Sequence, residues 1–256
     1  MSTVISKGSL HSKIDNTIAT VTFGHPASNS FPSDLLQRLT AEINHLNGNS
    51  LVNVIILKSE GNKAFCAGAS FEELLAVTNE SEGKSFFSGF AHLINAMKSC
   101  SKIIVASVQG KAVGGGVGIV AACDYAFATE DSSIKLSELA IGIGPFVIEP
   151  VVSHKIGKTA MAQMTLNAQQ WQTATWAQQK GLFATVVTTP EELITAVTAF
   201  ARSIASYNPE ALAQMKKIIW EGTENWDKLL IARAEISGKL VLSDFTKNAL
   251  LQFKKQ

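Results

Sequence analysis

An α/β body followed by an α-helical tail is the architecture this sequence predicts, and three features carry it. The runs 52–57 and 103–108 are rich in β-branched residues and apolar on both faces, as strands buried inside a sheet are. Strand-like and helix-like patterns alternate through the first three quarters of the chain. After Pro190 only helical patterns follow.

Taken in order, residues 17–23 place Ala19, Val21 and Phe23 on one face and Thr20 and Thr22 on the other, the alternation of a half-buried strand. Turn residues fill 24–30. Ser33 reads as the N-cap of a helix whose Leu36, Leu39, Ile43 and Leu46 form one stripe, closed by Gly48 in the C′ position. A buried strand at 52–57 follows, then a helical stretch at 86–97, the strand 103–108 and a shorter strand at 125–128. No sequence repeat has a fixed period, although the order of elements can still repeat in space. Beyond Pro190, Leu193, Val197, Phe200 and Ile204 form a first stripe. Asn208, Pro209 and Glu210 supply an N-cap, a proline at N1 and an early carboxylate for a second helix. Gly222 ends it, and 226–242 with 245–254 completes the tail.

The chain has 256 residues, 46% hydrophobic and 17% charged, which suits one large globular domain with an appended helical piece. Lys and Arg number 22 against 21 Asp and Glu, and no basic run exceeds two residues, so a nucleic-acid partner is not expected. The longest uncharged apolar stretch, 112–123, is too short and too glycine-rich to span a bilayer, so no membrane segment is expected. Residues 1–13 lack the apolar centre of a signal peptide. Cys66, Cys100 and Cys123 are an odd, widely spaced set that suits reduced thiols, and together these features point to a cytoplasmic protein. His11, His25, His45, His92 and His154 show no ligand spacing, so no metal site is expected.

Five of the 18 glycines fall between Gly110 and Gly118, directly after the strand 103–108 and before a helical run at 119–123. Such a cluster at a strand-to-helix junction means unusual dihedrals or close approach by a ligand or another backbone, and the helix end attracts negative charge. Gly116, Gly118 and Ala121 match the dinucleotide fingerprint in form. No ribose-binding acid lies at the right distance: Asp124 comes too early and Glu130 falls short. An oxyanion hole is the other chemistry, and it needs a second backbone N–H from a different segment. The loop 61–70 supplies one. Ser70, Glu72 and Glu73 fit a capping box, so a helix begins at Ser70 and the N–H of Ala69 lies at its entrance. Cys66 lies in that loop, beside the expected hole, without an identifiable base and reads as a small apolar residue.

Asn53-Val-Ile-Ile-Leu-Lys-Ser-Glu-Gly61-Asn-Lys-Ala-Phe65-Cys-Ala-Gly68-Ala69-Ser70 and Ala112-Val-Gly-Gly115-Gly-Val-Gly118-Ile-Val-Ala-Ala-Cys-Asp124 resemble the two signature segments of the crotonase superfamily, the enoyl-CoA hydratases and isomerases. The resemblance runs from about residue 14 to the C-terminus and includes a Pro-x-x-Asn motif at Pro26 and Asn29. It implies a crotonase-like spiral of ββα units over residues 1–192, then a C-terminal α-helical trimerisation region over 193–256 that covers the active site. It also implies a homotrimer or dimer of trimers acting on an acyl-CoA thioester, with coenzyme A part of the substrate and no separate cofactor. The thioester oxygen is then bound by the N–H groups of Ala69 and Gly115. Substrate contacts are implied at Lys63, Ala64, Phe65, Ala67 and Gly68, at Gly114 and Gly118, and at Phe146 in the pocket wall near Leu74 and Phe86. Lys63 and the tail lysines Lys247, Lys254 and Lys255 are candidates for the CoA phosphates; the loop before the first helix offers His25 and no Lys or Arg.

The family moves protons with carboxylates at two places. One matches Glu138, among Leu136, Leu139 and Ile141, where loss of solvent raises a carboxyl pKa toward the range of general acid-base work. The other matches Gly118, which has no side chain. Hydration in this family uses two glutamates, whereas moving a double bond needs one base that takes a proton from C2 and returns it to C4. The pattern therefore looks more like a 3,2-enoyl-CoA isomerase. Residues 145–157 also resemble short-chain and branched-chain hydratases, including methylglutaconyl-CoA hydratases, and Glu72, Glu73 or Glu149 are open as a second carboxylate. A non-catalytic acyl-CoA-binding protein is the remaining alternative. Ser70 replaces the family's usual Asp, and either residue can cap a helix.

Overall fold

The computed structural model describes residues 7–253. Its larger sheet has six strands in the order β1 (Ser9–Asp15), β2 (Ile18–Gly24), β3 (Val54–Ser59), β5 (Ile103–Val108), β7 (Tyr125–Thr129) and β10 (Thr185–Val187). β1 and β2 form an antiparallel hairpin and every other neighbour in this sheet is parallel. The smaller sheet has the order β4 (Ala64–Cys66), β6 (Lys111–Val113), β8 (Ser133–Lys135) and β9 (Gln172–Thr173).

The chain deals its strands alternately to the two sheets. β3, β5 and β7 enter the large sheet, and each is followed at once by β4, β6 or β8 in the small one. A helical segment closes each turn: α2 (Phe71–Ala76) with α3 (Glu80–Ser99), then α4 (Gly115–Ala122), then a 3-10 turn (Glu138–Ile141) with α5 (Glu149–Leu166). This is a spiral of ββα units. The repeat in space leaves no fixed sequence period because the helices differ in length.

β3 shows why the central strands are apolar on both faces. Its Ile55 and Leu57 join the main core with α1 (Ser33–Gly48) and α3, while Val54 and Ile56 face Leu193, Val197, Ala201 and Ile204 of α7 (Pro190–Ala205). α7 therefore belongs to the sheet, and the expected boundary at 192–193 falls inside it. α4 is apolar all round and buried from Gly116 to its end, as a helix between two layers must be.

Several local expectations shift. Pro32, not Ser33, is the N-cap of α1, and Ser33 sits in its first turn. Ser70 does cap α2, accepting from the Glu73 N–H, but the Glu73 carboxylate turns to Ser33 instead of completing the box. Beyond α7 lie α8 (Pro209–Ile219), α9 (Trp226–Leu240) and α10 (Asp244–Phe253), with α6 (Ala174–Gln179) before β10. The buried Lys216 of α8 reaches back to Asp124 Oδ2 at 2.8 Å and to the carbonyls of Met97 and Lys102, both at 2.9 Å. Among the described residues no helix is long and apolar enough to cross a membrane, and no group of three or more His, Cys, Asp and Glu is placed to hold a metal ion.

Candidate active site

Both loops suspected of donating to one oxygen emerge at the same edge, because β4 and β6 are parallel neighbours. They touch: a Cβ on Gly68 would stand 3.0 Å from the Val113 carbonyl oxygen and 3.7 Å from the Gly115 nitrogen. Gly68 has φ +92° and Gly114 φ +53°, dihedrals that favour glycine.

The first donor is aimed by its neighbours. Phe31 pairs alongside Ala69, donating to the Gly68 carbonyl at 2.8 Å and accepting from the Ser70 N–H at 2.9 Å, which turns the Ala69 N–H the other way. The Pro26 and Asn29 motif fixes the approach to this loop. Asn29 is buried, and its amide donates to the carbonyls of Glu60 and Ala64, both at 2.8 Å. The Ala67 N–H donates to the Ser28 carbonyl at 3.0 Å.

The second donor opens α4. Gly114 gives its N–H to Lys135 in β8, and its carbonyl accepts from Val117 and Gly118, so the turn is closed on both sides of Gly115. Among the described residues neither Ala69 nor Gly115 donates a hydrogen bond. Phe90 of α3 packs behind Gly115 so closely that a Cβ there would lie 2.3 Å from its ring. Only glycine lets the ring pack there.

Glu138 begins the 3-10 turn after β8, with its Oε1 2.7 Å from where a Cβ on Gly114 would stand. The residue as a whole is half-buried, but Oε2 is buried and has no hydrogen-bond partner among the described residues. Burial pushes this carboxyl up to about 7, opposed only by its own backbone N–H. A buried carboxyl held that way can take and return a proton near neutral pH.

A cavity of about 220 Å³ joins these groups. Ala67, Gly68, Ala69, Gly114, Gly115, Glu138 and Phe146 line it, with Phe71, Leu74, Phe87 and Phe90 as apolar wall. Other expected contacts lie elsewhere. Phe65 is fully buried in the core, edge-on to Phe23, and the Ala64 carbonyl is held by Asn29 and Gln109. Gly118 is buried beneath Ile148, Phe86 belongs to an apolar cluster with Leu74 and Ile143, and Lys63 and Lys247 are exposed. Lys254 and Lys255 lie outside the described residues. His25 instead accepts from the Ala27 N–H at 3.1 Å within its own turn.

None of the three alternative carboxylates lines the cavity. Glu73 accepts from the Ser33 N–H and hydroxyl, Glu149 accepts from Ser153 and lies 4.0 Å from Arg233, and Glu72 is exposed. Burial pushes the Cys66 thiol up to about 12, and it accepts from the Gly68 N–H at 3.2 Å, so it shapes the loop as an inert neutral group. Ile148, Phe90 and Ser237 of α9 were not singled out by sequence reasoning. Each is brought in by packing between distant segments, which no local pattern announces.

Comparison with known proteins identifies the family and the fold. The profile of the enoyl-CoA hydratase/isomerase family matches residues 13–254. A short-chain-enoyl-CoA hydratase of Clostridium acetobutylicum is 29% identical over 242 residues, covering 93% of this chain and 92% of that protein. A peroxisomal Delta(3,5)-Delta(2,4)-dienoyl-CoA isomerase of Arabidopsis thaliana is 27% identical over 209 residues, covering 77% and 74%. An enoyl-CoA hydratase structure from Bacillus halodurans superimposes with a TM-score of 0.88 at 22% identity, covering 95% of this chain and 99% of that one, and so shares its fold. With two donors, one buried carboxyl and a spiral of ββα units in place, the chain belongs to the enoyl-CoA hydratase/isomerase family of the crotonase superfamily.

Proposed function

We propose that the protein is a one-base acyl-CoA enzyme that moves a double bond from the 3,4 to the 2,3 position of an enoyl thioester. The observation that carries this reading is the contact between Gly118 and Ile148. Where the family places its other carboxylate, a Cβ would lie 2.4 Å from Ile148 Cγ2, so a buried apolar side chain fills the space.

In this mechanism the Ala69 and Gly115 N–H groups bind the thioester oxygen. Ionised Glu138 takes a proton from C2, and the electron pair delocalises into a dienolate whose charge the two donors stabilise. One such donor is typically worth about 3 kcal/mol at the transition state. Glu138 then returns the proton to C4, and the double bond settles between C2 and C3. No water enters the balance, which suits a cavity with apolar walls. The exposed Lys63 and Lys247 are the candidates for the CoA phosphates.

Hydration is the second reading, supported by likeness to a short-chain-enoyl-CoA hydratase over 93% of the chain. Crotonyl-CoA hydration and 3-enoyl-CoA isomerisation assayed on one preparation separate the two: isomerase in excess is expected, and hydratase without isomerase overturns the proposal. Turnover of neither leaves a non-catalytic acyl-CoA-binding protein. Assembly as a homotrimer or dimer of trimers is part of the proposal and is tested by a solution mass measurement.

A further inference from the structure

Ser237 lies on α9 with 1% of its surface exposed, and it lines the cavity. Its hydroxyl makes no hydrogen bond among the described residues, not even to the carbonyl one turn back that helical serines often use. The residue faces the cavity, so the hydroxyl is a donor and acceptor open to a ligand group in an otherwise apolar stretch of wall.

Its position along the cavity follows from two helices. α9 runs antiparallel to α3: Asn95 donates to the Trp226 carbonyl at one end, and Lys84 meets Glu235 at 3.2 Å at the other. Gly83 and Gly238 cross in backbone contact, since a Cβ on Gly83 would lie 2.7 Å from the Gly238 carbonyl oxygen. Ser237 therefore stands near the level of Gly83, whereas the oxyanion hole stands at Phe90. Seven residues at 1.5 Å each separate those levels by roughly 10 Å along α3.

The wall between them is apolar, with Phe71, Leu74, Phe87 and Ile143. A trapped water would need two to four polar partners, and at this level Ser237 offers one. Among the described residues no lysine, arginine or histidine lines the cavity, so they offer an ionised group on the ligand no compensating charge there. A neutral oxygen on the acyl chain meets both conditions.

We infer that the cavity selects acyl chains carrying a hydroxyl or carbonyl group several carbons beyond the thioester, and that Ser237 recognises it. This rests on the cavity being the acyl site. The test uses saturated acyl-CoA esters, which bind without reacting, in matched pairs of equal length with and without a terminal hydroxyl, titrated calorimetrically into the wild type and Ser237→Ala. At one chain length the wild type should bind the hydroxylated ester about tenfold more tightly, the worth of one neutral hydrogen bond. Ser237→Ala should lose that preference while binding the plain ester at least as well. Equal binding of every pair by the wild type, or a preference that survives in Ser237→Ala, overturns the assignment alone. Failure of every acyl-CoA ester to bind overturns the acyl-site reading and this assignment with it.

Discussion

The carboxyl of Glu138 rests against the backbone of Gly114, its Oε1 2.7 Å from where a Cβ would be. Gly114→Ala therefore meets two obstacles, a φ of +53° and the carboxyl itself. The base should be displaced by about an ångström, which lowers kcat roughly a hundredfold. A thermal melt that stays cooperative, measured beside kcat, separates this from unfolding.

With its carboxyl pushed up to about 7, Glu138 is half ionised near neutrality. As the proton acceptor it must be charged, so kcat/KM should rise with pH and level off above 7. Stability should move the opposite way. The folded state holds this proton more tightly than the unfolded chain, whose carboxyl titrates near 4.5, so stability falls as pH climbs from 4.5 through 7, by at most about 3 kcal/mol. Denaturant titrations at pH 5 and pH 8 should show this loss in the wild type and a smaller one in Glu138→Gln, which should also lack turnover.

Restoring a second carboxylate takes two changes. Gly118→Glu alone drives a side chain into Ile148 and should give a destabilised protein without hydratase activity. Gly118→Glu with Ile148→Gly vacates the space, and crotonyl-CoA hydration should rise above the wild-type level. Hydration by the single variant would count against Ile148 as the obstacle.

Lys216 and Asp124 form a pair with side chains 2% and 4% exposed. Lys216→Met strands a buried carboxylate and should cost about 3 to 5 kcal/mol in urea denaturation. Replacing both partners by apolar residues often rescues such a pair. Here it should not, because the Ile104 N–H and Trp220 Nε1 also need Asp124, and the Met97 and Lys102 carbonyls need Lys216.

What the sequence made legible was whatever repeats locally or sits in backbone motifs. The central strands stood out because both their faces are buried, and the two glycine-bearing loops because few other residues reach their dihedrals. β4, β6 and β8 have three residues each, too few to display a period of two, so the small sheet was missed. β1 was missed because it is an edge strand with most of its residues exposed. α5 hides behind Gly157, whose φ of +76° breaks the helical pattern. At the candidate site, the two facing loops were legible from their glycines and from Ser70, and Glu138 through the family resemblance. Ile148 and Ser237 were not, since each matters only through a residue or cavity that the fold brings to it.

The turn that carries Glu138 ends at Gly142, where a Cβ would lie 2.5 Å from the Phe245 ring and 2.6 Å from Thr246 Oγ1. α10 also packs against α2, the helix that opens beside Ala69. The last described helix thus packs against both the turn that carries Glu138 and the helix beside Ala69. Under the proposed mechanism, a change in α10 would reach the Glu138 turn and the Ala69 loop together, from outside the cavity.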